Sequence, residues 1–175
     1  RPAPDVAIDK HFEGELPGFH THLATYVAEG SRAHGGKGSL RVTPTKEAGG
    51  AYFKLDGLLD FTSDYEYSAW VYTGEERAAS LYLSASNGKE RYTVSSARGG
   101  VAGRWVRLRG VVRAAQWRPQ DRDFMLALST RGESWFDDVT LSKADVPDPA
   151  IQVWPRLEAR LHAAAGGRAV SLAPG

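Results

Sequence analysis

Apolar and polar side chains alternate along several short runs of the chain, and the pattern is sharpest from residue 65 onwards. Tyr65, Tyr67 and Ala69 alternate with other residue types, and a period of two places them on one face of a β-strand. A later pair of runs flanks Asn87-Gly88, a dipeptide that is typical of a tight hairpin turn. The alternation therefore predicts half-buried strands, at least two of which are joined as a hairpin.

About ten segments carry this strand pattern, and no helical period interrupts them. Even spacing and Gly-rich turns between strands predict an all-β, antiparallel β-sandwich. Residues 15–22, which contain the turn signal Pro17-Gly18, are predicted to be a loop. The predicted strands are residues 6–12, 24–29, 39–43, 50–55, 65–72, 80–86, 90–96, 104–114, 123–130 and 134–141.

The character of the sequence changes after residue 144. Pro147 and Pro149 cannot sit in a central strand, so they indicate a linker. Residues 155–165 then have a helical pattern, which begins at a proline and is followed by two glycines. We therefore predict a sandwich over residues 5–144 and an extension over residues 145–175. This extension either packs on the sandwich as a short helix or begins a following domain.

Composition and charge narrow the classes of function. The 22 basic and 21 acidic residues give a net charge of +1, which argues against a nucleic-acid partner. No apolar run is long enough to cross a bilayer, so no membrane partner is predicted. The chain has no cysteine, and His20-Thr21-His22 has no third ligand nearby, so zinc is not predicted. No nucleophile, base and orienting group can be identified together, and we predict that the protein is not an enzyme.

The last predicted strand, residues 134–141, places one carboxylate on the same face as large apolar side chains. By parity Trp135, Asp137, Val139 and Leu141 share a face, and the three large apolar residues make it the core face. A bare carboxylate at the edge of a core is costly. Asp137 should therefore be hydrogen-bonded or paired, or it should bind a cation, and the pattern leaves these alternatives open.

Aromatic residues form a second group, on the faces opposite the apolar ones. Four such rings on neighbouring strands would make a platform for sugar rings, because large exposed patches usually mark binding sites. The alternative is that an edge loop or the C-terminal segment covers the rings. The predicted ligand-binding residues are Trp70, Tyr72, Tyr82 and Tyr92, with Glu66, Arg107 and Arg109 as polar neighbours.

Five further segments follow one another along the chain: Phe12-Glu13, AHGGKGSLRV at 33–42, YEYSAWV at 65–71, WVRL at 105–108 and FDDV at 136–139. In type and order they resemble the segments of carbohydrate-binding modules of the family 4/9/22 type, which have the galactose-binding-like jelly-roll fold. The resemblance covers about residues 6 to 142.

This resemblance implies a structural calcium ion that joins the first and last strands. The implied ligands are the carboxylates of Glu13 and Asp137 and the backbone carbonyls of Gly35 and Lys37. Oxygen ligands of this kind suit Ca²⁺. Asp138 stays open as an alternative to Asp137.

The resemblance also implies a function, namely a non-catalytic module that targets a secreted or cell-surface protein to a polysaccharide. Such a parent could be a glycoside hydrolase or a polysaccharide lyase. The expected partners are a polysaccharide or oligosaccharide and a neighbouring domain of the parent. The alternative is a structural or protein-interaction jelly roll that binds no sugar and packs against that domain through its aromatic face.

Overall fold

The computed structural model describes residues 5–13, 18–118 and 120–144. Within these residues the chain forms eleven β-strands, arranged as two antiparallel sheets, and one turn of 3-10 helix. The predicted all-β sandwich is therefore confirmed. The predicted linker and helix over residues 145–175 lie outside the described residues. No helix within the described part of the chain is long and apolar enough to cross a membrane.

One sheet has six strands, in the order β3-β4-β11-β6-β9, with β1 paired to the second half of β11; the other has five, in the order β2-β5-β10-β7-β8. The six-stranded sheet comprises β1 (Val6–Lys10), β3 (Ala24–Glu29), β4 (Ser39–Pro44), β6 (Tyr65–Thr73), β9 (Trp105–Val112) and β11 (Ser134–Lys143). The five-stranded sheet comprises β2 (Phe19–His22), β5 (Gly49–Lys54), β7 (Ala79–Ser86), β8 (Arg91–Gly99) and β10 (Arg122–Thr130), and the 3-10 helix is Ala114–Gln116.

The core lies between the two sheets and is filled by one set of alternating side chains from each strand. Tyr67, Phe136 and Leu128 are fully buried there. Strand β2 was predicted to be a loop, and that prediction is wrong. Only Phe19 of its four residues is buried, so this short edge strand has too little alternation to be detected from the sequence.

The predicted hairpin at Asn87-Gly88 joins β7 to β8. The Asn87 N–H donates to the Glu90 carbonyl at 3.2 Å, and the Asn87 side-chain oxygen accepts the N–H groups of Lys89 and Glu90. Gly88 has a φ of +88°, which a glycine adopts without the steric cost that a Cβ brings. The hairpin prediction is therefore confirmed.

A bulge in the closing strand, β11, changes which of its side chains face the core. The register with β6 shifts between Asp137 and Thr140, and Asp138 has a φ of +46°. Phe136, Val139 and Leu141 belong to the core cluster, whereas Trp135 and Asp137 point to the outer side of the sheet. The prediction that Trp135 and Asp137 face the core is therefore wrong, because one extra residue reverses the alternation.

A second bulge lies in β8 and changes the face of the sheet on which Tyr92 lies. Leu83 pairs with Ser95, but Ser84 pairs with Thr93, so one residue of β8 is skipped. Tyr92 consequently lies opposite Ala85 and packs against the core. The prediction that Tyr92 lies on the same outer face as Tyr82 is therefore wrong.

Asp64 ties the start of β6 to the end of β9, and this tie should depend on pH. Its carboxylate accepts the Ala114 N–H at 2.7 Å and a guanidinium N–H of Arg113 at 3.0 Å. The Ala114 N–H above all, with the Arg113 guanidinium, holds the pKa of Asp64 below the ordinary value of 3.8, although burial opposes this. A lowered pKa stabilises the fold above pH 3.8, and the stabilisation is lost as the pH falls through the folded-state pKa.

We therefore expect Asp64→Asn to melt at a lower temperature than the wild type at pH 7. The difference should shrink when both proteins are melted at pH 3. A difference in melting temperature that stays constant between these two pH values would contradict the assignment.

Candidate functional site

A cleft lies along the outer face of the five-stranded sheet. It consists of two adjoining cavities of about 850 Å³ and 540 Å³, and Ala48, Tyr82, Arg91 and Ser129 line both of them. Because four residues are shared, the two cavities form one continuous depression, which we call the cleft.

The strand register builds a groove into the middle of this cleft. Ala127 of β10 pairs with Tyr52 of β5 on one side and with Tyr82 of β7 on the other. Two strand spacings separate the tyrosines by about 10 Å, and the small Ala127 side chain between them forms a floor. His20 lies beyond Tyr52 and stacks on it, with ring centroids 5.3 Å apart and planes at 24°.

The next row across the sheet continues the floor. Ser129 pairs with Gly50 and with Ser80, so three small residues lie side by side on the outer face. Since neither row has a bulky side chain between β5 and β7, the groove runs along the strands. This shape suits an elongated ligand that presents flat apolar faces to the two tyrosines.

Arg91 places a positive charge beside Tyr82. Burial raises the pKa of Tyr82, and the Arg91 guanidinium opposes part of that rise. The Arg91 guanidinium is held in place by hydrogen bonds to the Asp123 carbonyl at 2.8 Å and to the Ser84 hydroxyl at 3.3 Å. The groove therefore combines an aromatic wall with a fixed cation.

Of the ligand-binding residues predicted from the sequence, Tyr82 lines both cavities of the cleft and Tyr92 lines the larger one. The predicted single platform is wrong, because its members belong to different sheets or different faces. Tyr92 packs against the core, where the Arg118 guanidinium lies 4.9 Å from its ring centroid. On the outer face of the six-stranded sheet lie Trp70, Tyr72, Glu66, Arg107 and Arg109.

Residues 30–38, which connect β3 to β4, fold over the aromatic part of that second face; we call them the covering loop. The His34 ring stacks on Trp70 with centroids 3.8 Å apart and planes at 13°. The Arg32 guanidinium lies 4.3 Å from the Tyr72 centroid and 4.8 Å from that of Trp135. The structure thus has the alternative arrangement, in which an edge loop covers these rings.

The polar residues predicted on that face have partners of their own. Arg109 and Glu66 form an ion pair, and the Arg107 guanidinium donates to the Ser68 hydroxyl at 3.0 Å. Their role in ligand binding stays a prediction. Their observed contacts stabilise the pairing of β6 with β9.

Glu13 and Asp137, two of the predicted calcium ligands, each hydrogen-bond to the covering loop, which contains the other two, Gly35 and Lys37. Asp137 is fully buried, and one of its oxygens accepts the N–H groups of His34 at 2.8 Å and Gly35 at 3.1 Å. Its other oxygen accepts the Asp138 N–H at 2.8 Å. Glu13 accepts the Lys37 N–H through both oxygens, at 2.8 and 3.1 Å.

Together these hydrogen bonds attach the covering loop to Asp137 and Glu13, and we call them the clip. Their geometry fits a clip made of hydrogen bonds better than an ion site. The Asp137 and Glu13 oxygens face N–H donors, which compete with a cation for the same lone pairs. Among the residues that the structure describes, no group of three or more His, Asp or Glu side chains could hold a metal ion. Calcium therefore stays a prediction.

Asp138 strengthens the same clip from the outside. Its carboxylate contacts Nδ1 of His11 at 2.7 Å and Nδ1 of His34 at 3.1 Å. Burial raises the pKa of Asp138, but the hydrogen bonds of the two histidines outweigh it, and the net shift is downward. The hydrogen bond to Asp138 raises the pKa of His11. Both aspartates of the closing strand thus attach the covering loop to the sheet.

Several solved structures have the same fold. The CBM22-1 xylan-binding domain of Xyn10C from Paenibacillus barcinonensis is 19% identical, with a TM-score of 0.66 over 84% of this chain and 99% of that one. The CBM22-1-GH10 modules of xylanase 10B from Clostridium thermocellum, complexed with xylohexaose, are also 19% identical, with a TM-score of 0.65. That match covers 81% of this chain and only 29% of the xylanase chain.

The same fold also occurs in a different kind of protein. A Stig cyclase from a Fischerella species is 12% identical, with a TM-score of 0.56 over 75% of this chain and 87% of that one. No family model and no curated protein matches the chain. At these identities the likeness shows the fold, which is the jelly-roll sandwich that the resemblance implied.

Proposed function

We propose that the protein is a non-catalytic carbohydrate-binding module that holds a polysaccharide chain in the cleft of the five-stranded sheet. The observation that carries the proposal is the groove formed by Tyr52, Ala127 and Tyr82. The module would belong to a secreted or cell-surface protein and would lie beside a neighbouring domain of that parent.

The groove suits sugars because a pyranose ring has an apolar C–H face and a polar rim. Tyr52 and Tyr82 offer aromatic surfaces to such faces, and an aromatic side chain that is buried by a ligand supplies much of the binding energy. The flanking hydroxyl of Ser129 and the guanidinium of Arg91 can bond to the rim. A chain of linked sugars would therefore lie along the floor with its rings against the walls.

Xylan is the first polysaccharide to test. Solved structures of this fold include xylan-binding domains and modules complexed with xylohexaose. Xylose units lack the exocyclic hydroxymethyl group of hexoses, so a xylan chain is slim enough for a floor bounded by two tyrosines.

The alternative, a structural jelly roll that docks through its aromatic face, is not favoured. That face was the one predicted around Trp70 and Tyr72, and the covering loop already packs on both rings. The exposed cleft on the opposite sheet has no role in this alternative.

Affinity electrophoresis in gels that contain soluble xylan tests the proposal. We expect retardation of the protein, and xylohexaose in the sample should reverse it by competition. Parallel gels that contain mixed-linkage glucan, galactomannan or pectin show which class of polysaccharide the protein binds. If one of these polysaccharides retards the protein and xylan does not, that polysaccharide replaces xylan as the proposed ligand. Free migration through all of the gels would overturn the proposed function.

A further inference from the structure

Arginines are concentrated along the cleft. The larger cavity is lined by Arg77, Arg91, Arg98 and Arg131. None of these four has a carboxylate within 4.0 Å among the described residues, whereas Arg41, Arg109 and Arg113 elsewhere each form an ion pair. Within the described residues, the guanidinium groups of the cleft are therefore not neutralised by an ion pair.

The charge balance of the cleft differs from that of the chain. Two glutamates, Glu75 and Glu76, also line the larger cavity, and Glu76 is engaged by the Ala102 N–H at 3.3 Å. Four arginines against two glutamates leave an excess of two positive charges in this one depression. The whole 175-residue chain has a net charge of only +1, so the excess is local.

Two of the arginines flank the aromatic wall. On the neighbouring strand β8, Arg98 pairs with Ser80 and Arg91 pairs with Ser86, which lie on either side of Tyr82 in β7. A sugar ring stacked on Tyr82 would therefore have a guanidinium group near it in both directions along the strand. Each planar guanidinium can bind a carboxylate through two parallel hydrogen bonds.

We propose that the natural ligand of the cleft is an acidic polysaccharide, in which uronic acid carboxylates bind Arg91 and Arg98. The proposal rests on the proposed function, since it specifies the ligand of the same site. A neutral chain would leave the guanidinium groups without a counter-charge, whereas a uronate-bearing chain would neutralise them. Sulfate esters share the anionic chemistry, and the experiment separates them from carboxylates.

Isothermal titration should compare glucuronoxylan with the same polymer after its carboxyl groups have been reduced to alcohols. We expect the acidic form to bind at least tenfold more tightly, because hydrogen bonds to charged groups are stronger than neutral ones. Raising the salt concentration from 0.05 to 0.5 M should remove most of this difference. Polygalacturonate tests another uronate backbone, and dextran sulfate tests sulfate.

Arg98→Gln and Arg91→Gln should each lower the preference for the acidic polymer several-fold. Arg98 makes no hydrogen bond or ion pair that its replacement would break within the described residues, so it is the cleaner variant; Arg91 also bonds to Ser84 and Asp123. Arg104→Gln is the matched control, because Arg104 is exposed and does not line the cleft. Melting temperatures confirm that each variant is folded.

The outcomes separate the two proposals. Equal binding of glucuronoxylan and its reduced form, without tighter binding of polygalacturonate or dextran sulfate, would overturn the acidic ligand and leave the carbohydrate-binding function intact. Tight binding of dextran sulfate with no preference for glucuronoxylan or polygalacturonate over neutral polymer would replace the carboxylate by sulfate and overturn the uronate. Binding of none of the polymers would overturn the proposed function itself.

Discussion

Tyr82→Ala is expected to weaken xylan binding about 30-fold, which corresponds to about 2 kcal/mol. The Tyr82 ring forms one wall of the groove, and a stacked sugar would bury on the order of 80 Å² of its apolar surface, at about 25 cal/mol per Å². The loss should be measured by isothermal titration or by affinity electrophoresis. Tyr52→Ala, which removes the opposite wall, should give a loss of similar size.

Two further variants make this prediction specific to the groove. Tyr82→Phe keeps the ring and should retain most of the affinity. Tyr72→Ala changes the face that was predicted from the sequence to bind the ligand, where Arg32 lies over the ring, and it should leave affinity unchanged. If Tyr72→Ala removes binding and Tyr82→Ala does not, the ligand site lies on the six-stranded sheet and the cleft is not the site.

The fold could be predicted from the sequence because most strands alternate in a regular way. The predicted 24–29 segment is strand β3, and Asn87-Gly88 makes the predicted hairpin between β7 and β8. The errors in facing direction come from two bulges, near Asp138 and near Ser84. A bulge is a single inserted residue with no strong sequence signal, yet it turns every later side chain to the other face.

The candidate site could be predicted only in part, for a different reason. Tyr52 and Tyr82 are 30 positions apart, and both are brought to Ala127 by the register of a third strand. Parity marks each tyrosine as outward-facing, but it does not say which strands are neighbours. Trp70 and Tyr72 have the same outward parity as Tyr82, and only the sheet order shows that they lie on the opposite side of the sandwich.

Asp137 carries the largest expected effect on stability. We expect Asp137→Ala to lower the free energy of unfolding by about 3 kcal/mol or more, because three backbone N–H groups lose a buried, charged acceptor. The affected donors belong to His34, Gly35 and Asp138. For a domain of this size the melting temperature should fall by about 10 °C. Asp138→Ala, which removes a more exposed carboxylate, should have a smaller effect.

The same variants decide between a hydrogen-bonded clip and a calcium clip. If the hydrogen bonds hold the covering loop, Asp137→Ala should lose the same stability in excess chelator as in millimolar calcium. If calcium is the clip, chelator alone should lower the melting temperature of the wild type and leave that of Asp137→Ala unchanged, because a bound ion stabilises only the protein that binds it. A fall of less than 2 °C in Asp137→Ala under both conditions would show that neither clip holds the loop. Because the loop packs on Trp70 and Tyr72 through His34 and Arg32, losing the clip should also expose these rings, and tryptophan fluorescence should shift to longer wavelength.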